Sequence, residues 1–142
     1  MSDYRSLNHT KWECKYHVVF IPKCRRKVFY GKVREHLGEL FHELAKQREC
    51  MILEGQLCVD HVHMMIRIPP KQSVSHVVGY IKGKSAIRMA RDFMGRHQSF
   101  KGYHFWARGY FVSTVGIDER VIREYIQNQE KNDQKSDQGR LF

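Results

Sequence analysis

The sequence predicts an α+β domain, a ferredoxin-like or RRM-like antiparallel sheet with helices on one face and a further helix near its end. Three observations predict it. β-forming runs alternate with runs of helical periodicity. Their order is strand, helix, one or two strands, helix, strand, helix. No linker, internal repeat or low-complexity stretch divides the 142 residues. The simplest topology for that order is a βαββαβ core, with helices covering one sheet face and the other face open or covered by a partner. At 42% apolar residues the chain can build a real core.

The elements follow in order. Trp12 to Ile21 reads as a strand, because Val18-Val19-Phe20-Ile21 are β-formers and Pro22 ends the run. A basic cluster, Lys23-Cys24-Arg25-Arg26-Lys27, comes next. From Lys32 to Arg48, Val33, Leu37, Leu40, Phe41, Leu44 and Ala45 recur at helical spacing, which predicts an amphipathic helix. Met51 to Gln56 is a short candidate strand. Leu57 to Ile68 reads as a single strand, stopped by Pro69-Pro70. Ser73 is a good N-cap for a helix over Val74 to Met94, despite Gly83 inside it. Gly95 to Gly102 is a loop, and the aromatic alternation of Tyr103 to Ser113 predicts another strand. Asp118 caps a last helix, Glu119 to Asn132, and the polar tail from about 132 is expected to fray.

Composition narrows the function. Lys plus Arg number 25 and Asp plus Glu 15, a net charge of +10, which favours a polyanionic partner. No apolar run approaches the roughly 20 residues that cross a bilayer. Met1 to Lys15 lacks the apolar stretch of a signal peptide, so the expected compartment is the cytoplasm and no membrane partner is expected. Cys14, Cys24, Cys50 and Cys58 form no CxxC pair and read as free packing thiols.

Within Leu57 to Ile68 the period of two puts Cys58, Asp60, Val62, Met64, Ile66 and Ile68 on one face. Leu57, Val59, His61, His63, Met65 and Arg67 fall on the other. His61 and His63 then stand side by side, Cα atoms roughly 6.5–7 Å apart at about 3.3 Å of rise per residue. Two imidazoles at that spacing can converge on one cation and leave its other positions to carboxamide, water or substrate oxygen. Such a pair is also what any wet strand face can carry. Cys58 falls on the opposite face in a regular strand, which argues against a Cys58–His61 zinc site.

In the last helix Tyr125 and Gln129 are four apart and share a face, beside Ile122 and Ile126. A core aromatic is the plain reading. The functional reading pairs a phenol nucleophile with a carboxamide ligand. A phenol with a pKa near 10 attacks a phosphodiester poorly unless a cation neutralises the phosphate. Capture on tyrosine would conserve the phosphodiester energy for rejoining.

Together these residues resemble the HUH single-tyrosine transposases of bacterial insertion sequences, the IS-two-hundred-like family. Four segments carry the resemblance: Tyr16-His17-Val18-Val19-Phe20-Ile21-Pro22-Lys23 with its basic cluster; Asp60-His61-Val62-His63-Met64-Met65; Tyr80-Ile81-Lys82-Gly83-Lys84-Ser85; and Phe105-Trp106-Ala107-Arg108-Gly109-Tyr110-Phe111 followed by Tyr125 and Gln129. They come in the family's order and cover nearly the whole chain, as one HUH domain over 1–142. The resemblance implies a homodimer in which His61, His63 and Gln129 hold Mg²⁺ or Mn²⁺, with no nucleotide cofactor. It implies that Tyr125 cuts single-stranded DNA beside hairpins at element ends, giving a 5′-phosphotyrosine and a free 3′-OH. The setting would be the bacterial or archaeal cytoplasm, on nucleoid DNA. Lys23, Arg25, Arg26, Lys27, Lys82, Lys84 and Arg88 become candidate phosphate contacts, and Tyr103, Phe105 and Trp106 candidates for base stacking or core.

Three rival readings remain. A non-catalytic RRM-like nucleic-acid binder explains charge and fold but not the histidines, and the strands lack the RNP1 pattern. A metal-dependent phosphoesterase would leave Tyr125 structural. A domesticated relative would keep the chemistry and act on dispersed palindromic repeats.

Overall fold

In the computed structural model, residues 5–7, 10–23, 31–58, 60–94, 105–116, 120, 123, 127 and 140–142 are described. The chain runs β1 (Arg5–Leu7), β2 (Thr10–Trp12), β3 (Lys15–Phe20), α1 (Gly31–Gln47), β4 (Met51–Cys58), β5 (His61–Arg67), α2 (Val74–Met89), a π-helical turn (Ala90–Met94), β6 (Phe111–Thr114) and β7 (Arg140–Leu141). β1 and β2 form a small hairpin of their own. The other strands make one antiparallel sheet in the order β6-β3-β5-β4-β7. Its first four strands have the ferredoxin-like order, and β7 extends the β4 edge.

α1 and α2 cover one sheet face, as their periodicity predicts. Val18 and Phe20 of β3, Leu57 of β4 and Val62, Met64 and Ile66 of β5 meet Leu37, Leu40, Phe41 and Leu44 of α1 and Val77, Val78, Ile81 and Met89 of α2. Each such side chain contributes about 1.5–3 kcal/mol by leaving water. Ser73 caps α2 as expected, its hydroxyl accepting from the His76 N–H at 3.1 Å. The helix expected to reach Met94 changes to π geometry at Ala90.

Four sequence expectations need correction. Leu57 to Ile68 is not one strand. The chain reverses between Cys58 and His61, so Leu57 and Cys58 end β4 and pair with Val62 and His61 of β5. No Asn-Gly or Asp-Gly pair announces this turn. Directly paired residues point to the same face, so Cys58 lies on the side of His61 rather than opposite it.

Secondly, the strand expected from Tyr103 starts only at Phe111; Phe105 and Trp106 are core residues, with the Trp106 indole donating to Ser85 Oγ at 2.9 Å. Thirdly, the tail does not simply fray, since Arg140 and Leu141 pair with Leu57 and Gln56. Fourthly, the second sheet face is not open. Gln56, Cys58 and Met65 on it are wholly buried, and Glu13 lies over it, 2.7 Å from Arg67 Nε. No helix among the described residues is long and apolar enough to cross a membrane.

α1 ends in a Schellman motif: Cys50 N–H donates to Ala45 O (2.9 Å) and Glu49 N–H to Lys46 O (3.0 Å). The residue this motif turns left-handed is Glu49, at φ 59°, where a side chain costs roughly 1–2 kcal/mol. Glu49→Gly relieves that strain and loses only the exposed Lys71–Glu49 ion pair. The expected result is a gain of about 0.5–1 kcal/mol in urea unfolding at unchanged m-value.

Candidate metal and DNA site

β5 is the central strand of the sheet, paired on both sides by β3 and β4. That pairing occupies its backbone groups and leaves its side chains to serve the two faces. Val62, Met64 and Ile66 enter the core. His61 and His63 therefore project from the other face, as the alternation predicts. Their ring centroids are 4.5 Å apart and their planes cross at 80°.

Local chemistry sets each ring. Asp60, in the turn before β5, places Oδ1 2.7 Å from His61 Nδ1. The tautomer that donates Nδ1–H to this carboxylate leaves the Nε2 lone pair for a cation. His63 is 9% exposed. Burial first, then repulsion from His61 and His17, pushes its pKa down to about 3. Burial also lowers that of His17. Both are thus neutral near pH 7, the form that ligates metals. His63 Nδ1 is buried without a hydrogen-bond partner among the described residues, a vacancy that ordinarily costs about 1–3 kcal/mol. Two adjacent imidazoles, one oriented by a carboxylate and the other neutral with a buried nitrogen that has no partner among the described residues, fit a divalent cation.

Three further residues of this face, His17, Phe111 and Gln56, were given no role at the site by the sequence, and Cys58 was put on the opposite face. The His17 ring stacks on His63 at 5.7 Å and 10°, and Phe111 meets His17 edge-on at 6.3 Å. Gln56 is directly across from His63 in the β4–β5 ladder, and Cys58 across from His61. The alternation Lys15-Tyr16-His17-Val18 puts His17 opposite the core residue Val18, but only the register shows which histidine it meets. No third His, Cys, Asp or Glu among the described residues joins the pair in metal-holding geometry.

Tyr125 and Gln129 lie outside the described residues. Gln127, between them in sequence, is described: it is helical, and its Nε2 is 3.4 Å from Glu54 Oε1. Glu54 pairs with Met65, so its side chain is on the histidine-bearing face.

The basic residues divide. Arg25, Arg26 and Lys27 lie outside the described residues. Lys23 is exposed, its N–H donating to Phe105 O at 2.9 Å. Lys84 is exposed. Arg88 pairs with Asp92 at 3.9 Å. Lys82 turns inward: its ammonium donates to Ala107 O (2.8 Å) and Gly109 O (2.7 Å), and burial lowers its pKa. Its described contacts are those of a clamp on the 107–109 segment.

A family model described as "Transposase IS200 like" matches residues 10–129. The transposase for insertion sequence element IS200 of Salmonella typhimurium is 44% identical over 138 residues, 97% of this chain and 91% of that protein. The ISDra2 transposase TnpA of Deinococcus radiodurans is 28% identical over 119 residues, 83% of this chain and 85% of that one. A crystal structure from Deinococcus radiodurans R1, described as that of a transposase, superposes with a TM-score of 0.71 at 27% identity, covering 88% of this chain and 97% of the other. A REP-associated tyrosine transposase bound to a REP hairpin has a TM-score of 0.63 at 16% identity, covering 93% and 74%, and shows a shared fold.

The two lysines of α2 should separate experimentally. Lys82→Met keeps the aliphatic stem and strands two carbonyls, and should cost about 1–3 kcal/mol in urea unfolding. Lys84→Met should leave stability unchanged and reduce the salt slope of single-stranded DNA binding by about one charge.

Proposed function

The chain belongs to the IS200-like transposase family and is a transposase, and we propose that it works on single-stranded DNA with His61 and His63 as metal ligands and Tyr125 as nucleophile. The observation that carries this reading is the histidine pair, with Asp60 fixing one ring and a buried nitrogen of the other without a partner among the described residues. Gln129 would complete the ligand set through its carboxamide oxygen.

Mg²⁺ or Mn²⁺ held by His61, His63 and Gln129 would neutralise charge on the scissile phosphate. Tyr125 then attacks phosphorus through its phenol oxygen and gives up its proton. The P–O3′ bond breaks, its electron pair and a proton leave as the 3′-OH, and the 5′ end stays on tyrosine. A 3′-OH attacking that phosphotyrosine reverses the step and rejoins the strand, with no nucleotide cofactor. The excess of positive charge suits a DNA partner. The hairpin bound to the REP-associated relative supports hairpin DNA as the substrate of this chain too. A cytoplasmic setting on nucleoid DNA belongs to the same reading.

A homodimer also belongs to it. Among the described residues β6 is a sheet edge, and Phe111 and Val112 on it are exposed. An apolar edge of this kind is a pairing surface that isolated proteins usually cover. Val112→Glu should shift the protein to monomer in sedimentation velocity while leaving its circular dichroism unchanged.

The deciding experiment incubates the protein with Mg²⁺ or Mn²⁺ and labelled hairpin DNA from the ends of its own element. A covalent protein–DNA band on denaturing gels is expected, absent in Tyr125→Phe and without metal. Binding with no adduct on any end sequence would favour a non-catalytic binder. Cleavage surviving Tyr125→Phe would point to a metal-dependent nuclease. Asp60→Ala should weaken Mn²⁺ binding about 10–100-fold by freeing the His61 ring.

A further inference from the structure

We infer that His17 is a positioning residue for His63: its ring stacks on the His63 imidazole, is backed by Phe111, and sets the plane in which His63 meets the cation. The cation rests on the proposed function; the stack itself rests on packing.

The two histidines of β5 are held by different means. Asp60 Oδ1 is 2.7 Å from His61 Nδ1, and a carboxylate partner of this kind is the usual way in which a protein fixes the ring of a metal ligand. The buried Nδ1 of His63 has no such partner among the described residues. The torsion that turns an imidazole about its Cβ–Cγ bond is broad. At His63 the neighbouring rings limit it. His61 crosses it at 80° with centroids 4.5 Å apart, and His17 lies parallel to it, 10° between planes and 5.7 Å between centroids.

The sheet explains how His17 reaches His63. In the β3–β5 ladder His63 is directly across from Val19, and His17 from Met65. Directly paired residues share a face, so His17 is on the face of Met65 and the two β5 histidines. In the β3–β6 ladder Phe111 is across from Val19, and His17 from Ser113. His17 is therefore diagonal to His63 on one neighbouring strand and to Phe111 on the other, a separation that ring side chains span. Val19, directly between those two, carries no ring. Leaning toward the row of Val19, the buried His17 ring meets both, Phe111 edge-on at 6.3 Å and 72°. Parallel and edge-to-face contacts of this kind hold rings more firmly than the area they bury would alone. His17 thus acts through its flat face, and another flat ring of similar size should serve in its place.

Histidine-ring NMR of the full chain tests this without metal, and Mn²⁺ titration tests it with metal, in wild type, His17→Ala, His17→Phe and His17→Leu. The wild-type His63 ring, assigned by its loss in His63→Ala, should give one sharp set of signals with contacts to the His17 ring. His17→Ala should broaden or double that set, leave the His61 signals sharp because Asp60 still holds them, and weaken Mn²⁺ binding about 3–10-fold. His17→Phe should restore both readouts, and His17→Leu, with bulk but no flat face, should restore neither. A sharp His63 ring and unchanged Mn²⁺ affinity in His17→Ala would overturn the inference. So would Leu serving as well as Phe, which would reduce His17 to filler, or Phe serving no better than Leu, which would mean that its nitrogens act and not its face. If His17→Ala loses the His61 signals too, the face itself has come apart, and the comparison of Phe with Leu decides alone. A His63 ring ordered by His17 in a protein that binds no Mn²⁺ would uphold the positioning and sink the metal reading, so the two failures are distinguishable.

Discussion

The period of two along β5 is the constraint on which the fold and the candidate site both depend. Because β5 is paired on both sides, its backbone cannot shift without breaking two ladders at once. One residue of slip would exchange the faces, putting His61 and His63 into the core and Met64 and Ile66 over the site. The hydrophobic packing of Val62, Met64 and Ile66 under α1 and α2 thus fixes where the imidazoles stand. Asp60 adds the local term, sitting in the turn that starts the strand and orienting the first ring of the pair.

The electrostatics of the site run against those of the whole molecule. The chain carries +10, yet His17 and His63 on this face are held neutral, His17 by burial and His63 by burial and its histidine neighbours. A distributed positive surface draws a polyanion to the protein. The neutral, buried ring of His63 beside His61 then offers a divalent cation a lone pair where a protonated ring could not. Lys82, from the most basic stretch of α2, is turned inward to hold residues 107–109, so position along the sequence alone does not identify a phosphate contact.

Much of this was legible in the sequence because local rules coincide with the tertiary result. α1 and α2 appear at their hydrophobic spacing, Ser73 caps where its hydroxyl allows, and Val62 to Ile66 alternates as a half-buried strand must. The misreadings have one physical origin, that register and close approach are non-local. The reversal between Cys58 and His61 carries no glycine or asparagine signal, so two strands read as one and Cys58 was put on the wrong face. His17 meets His63 only through the β3–β5 register. Gly38 and Gly55 look like local weaknesses until Phe142 is seen against them. Phe105 and Trp106 sit in an aromatic run that reads as a strand, but both join the core, Trp106 against Phe20 and Phe41 with its indole bonded to Ser85.

The claim that the β5 histidines hold the cation can be read spectroscopically, apart from turnover. Pulsed electron paramagnetic resonance of Mn²⁺ bound to the protein, with natural and with ¹⁵N-labelled histidine, counts coordinating imidazoles directly. The account predicts two nitrogen couplings, reduced to one in His61→Ala and in His63→Ala. A bound Mn²⁺ with no imidazole coupling, or couplings that survive both substitutions, would place the metal elsewhere and contradict it.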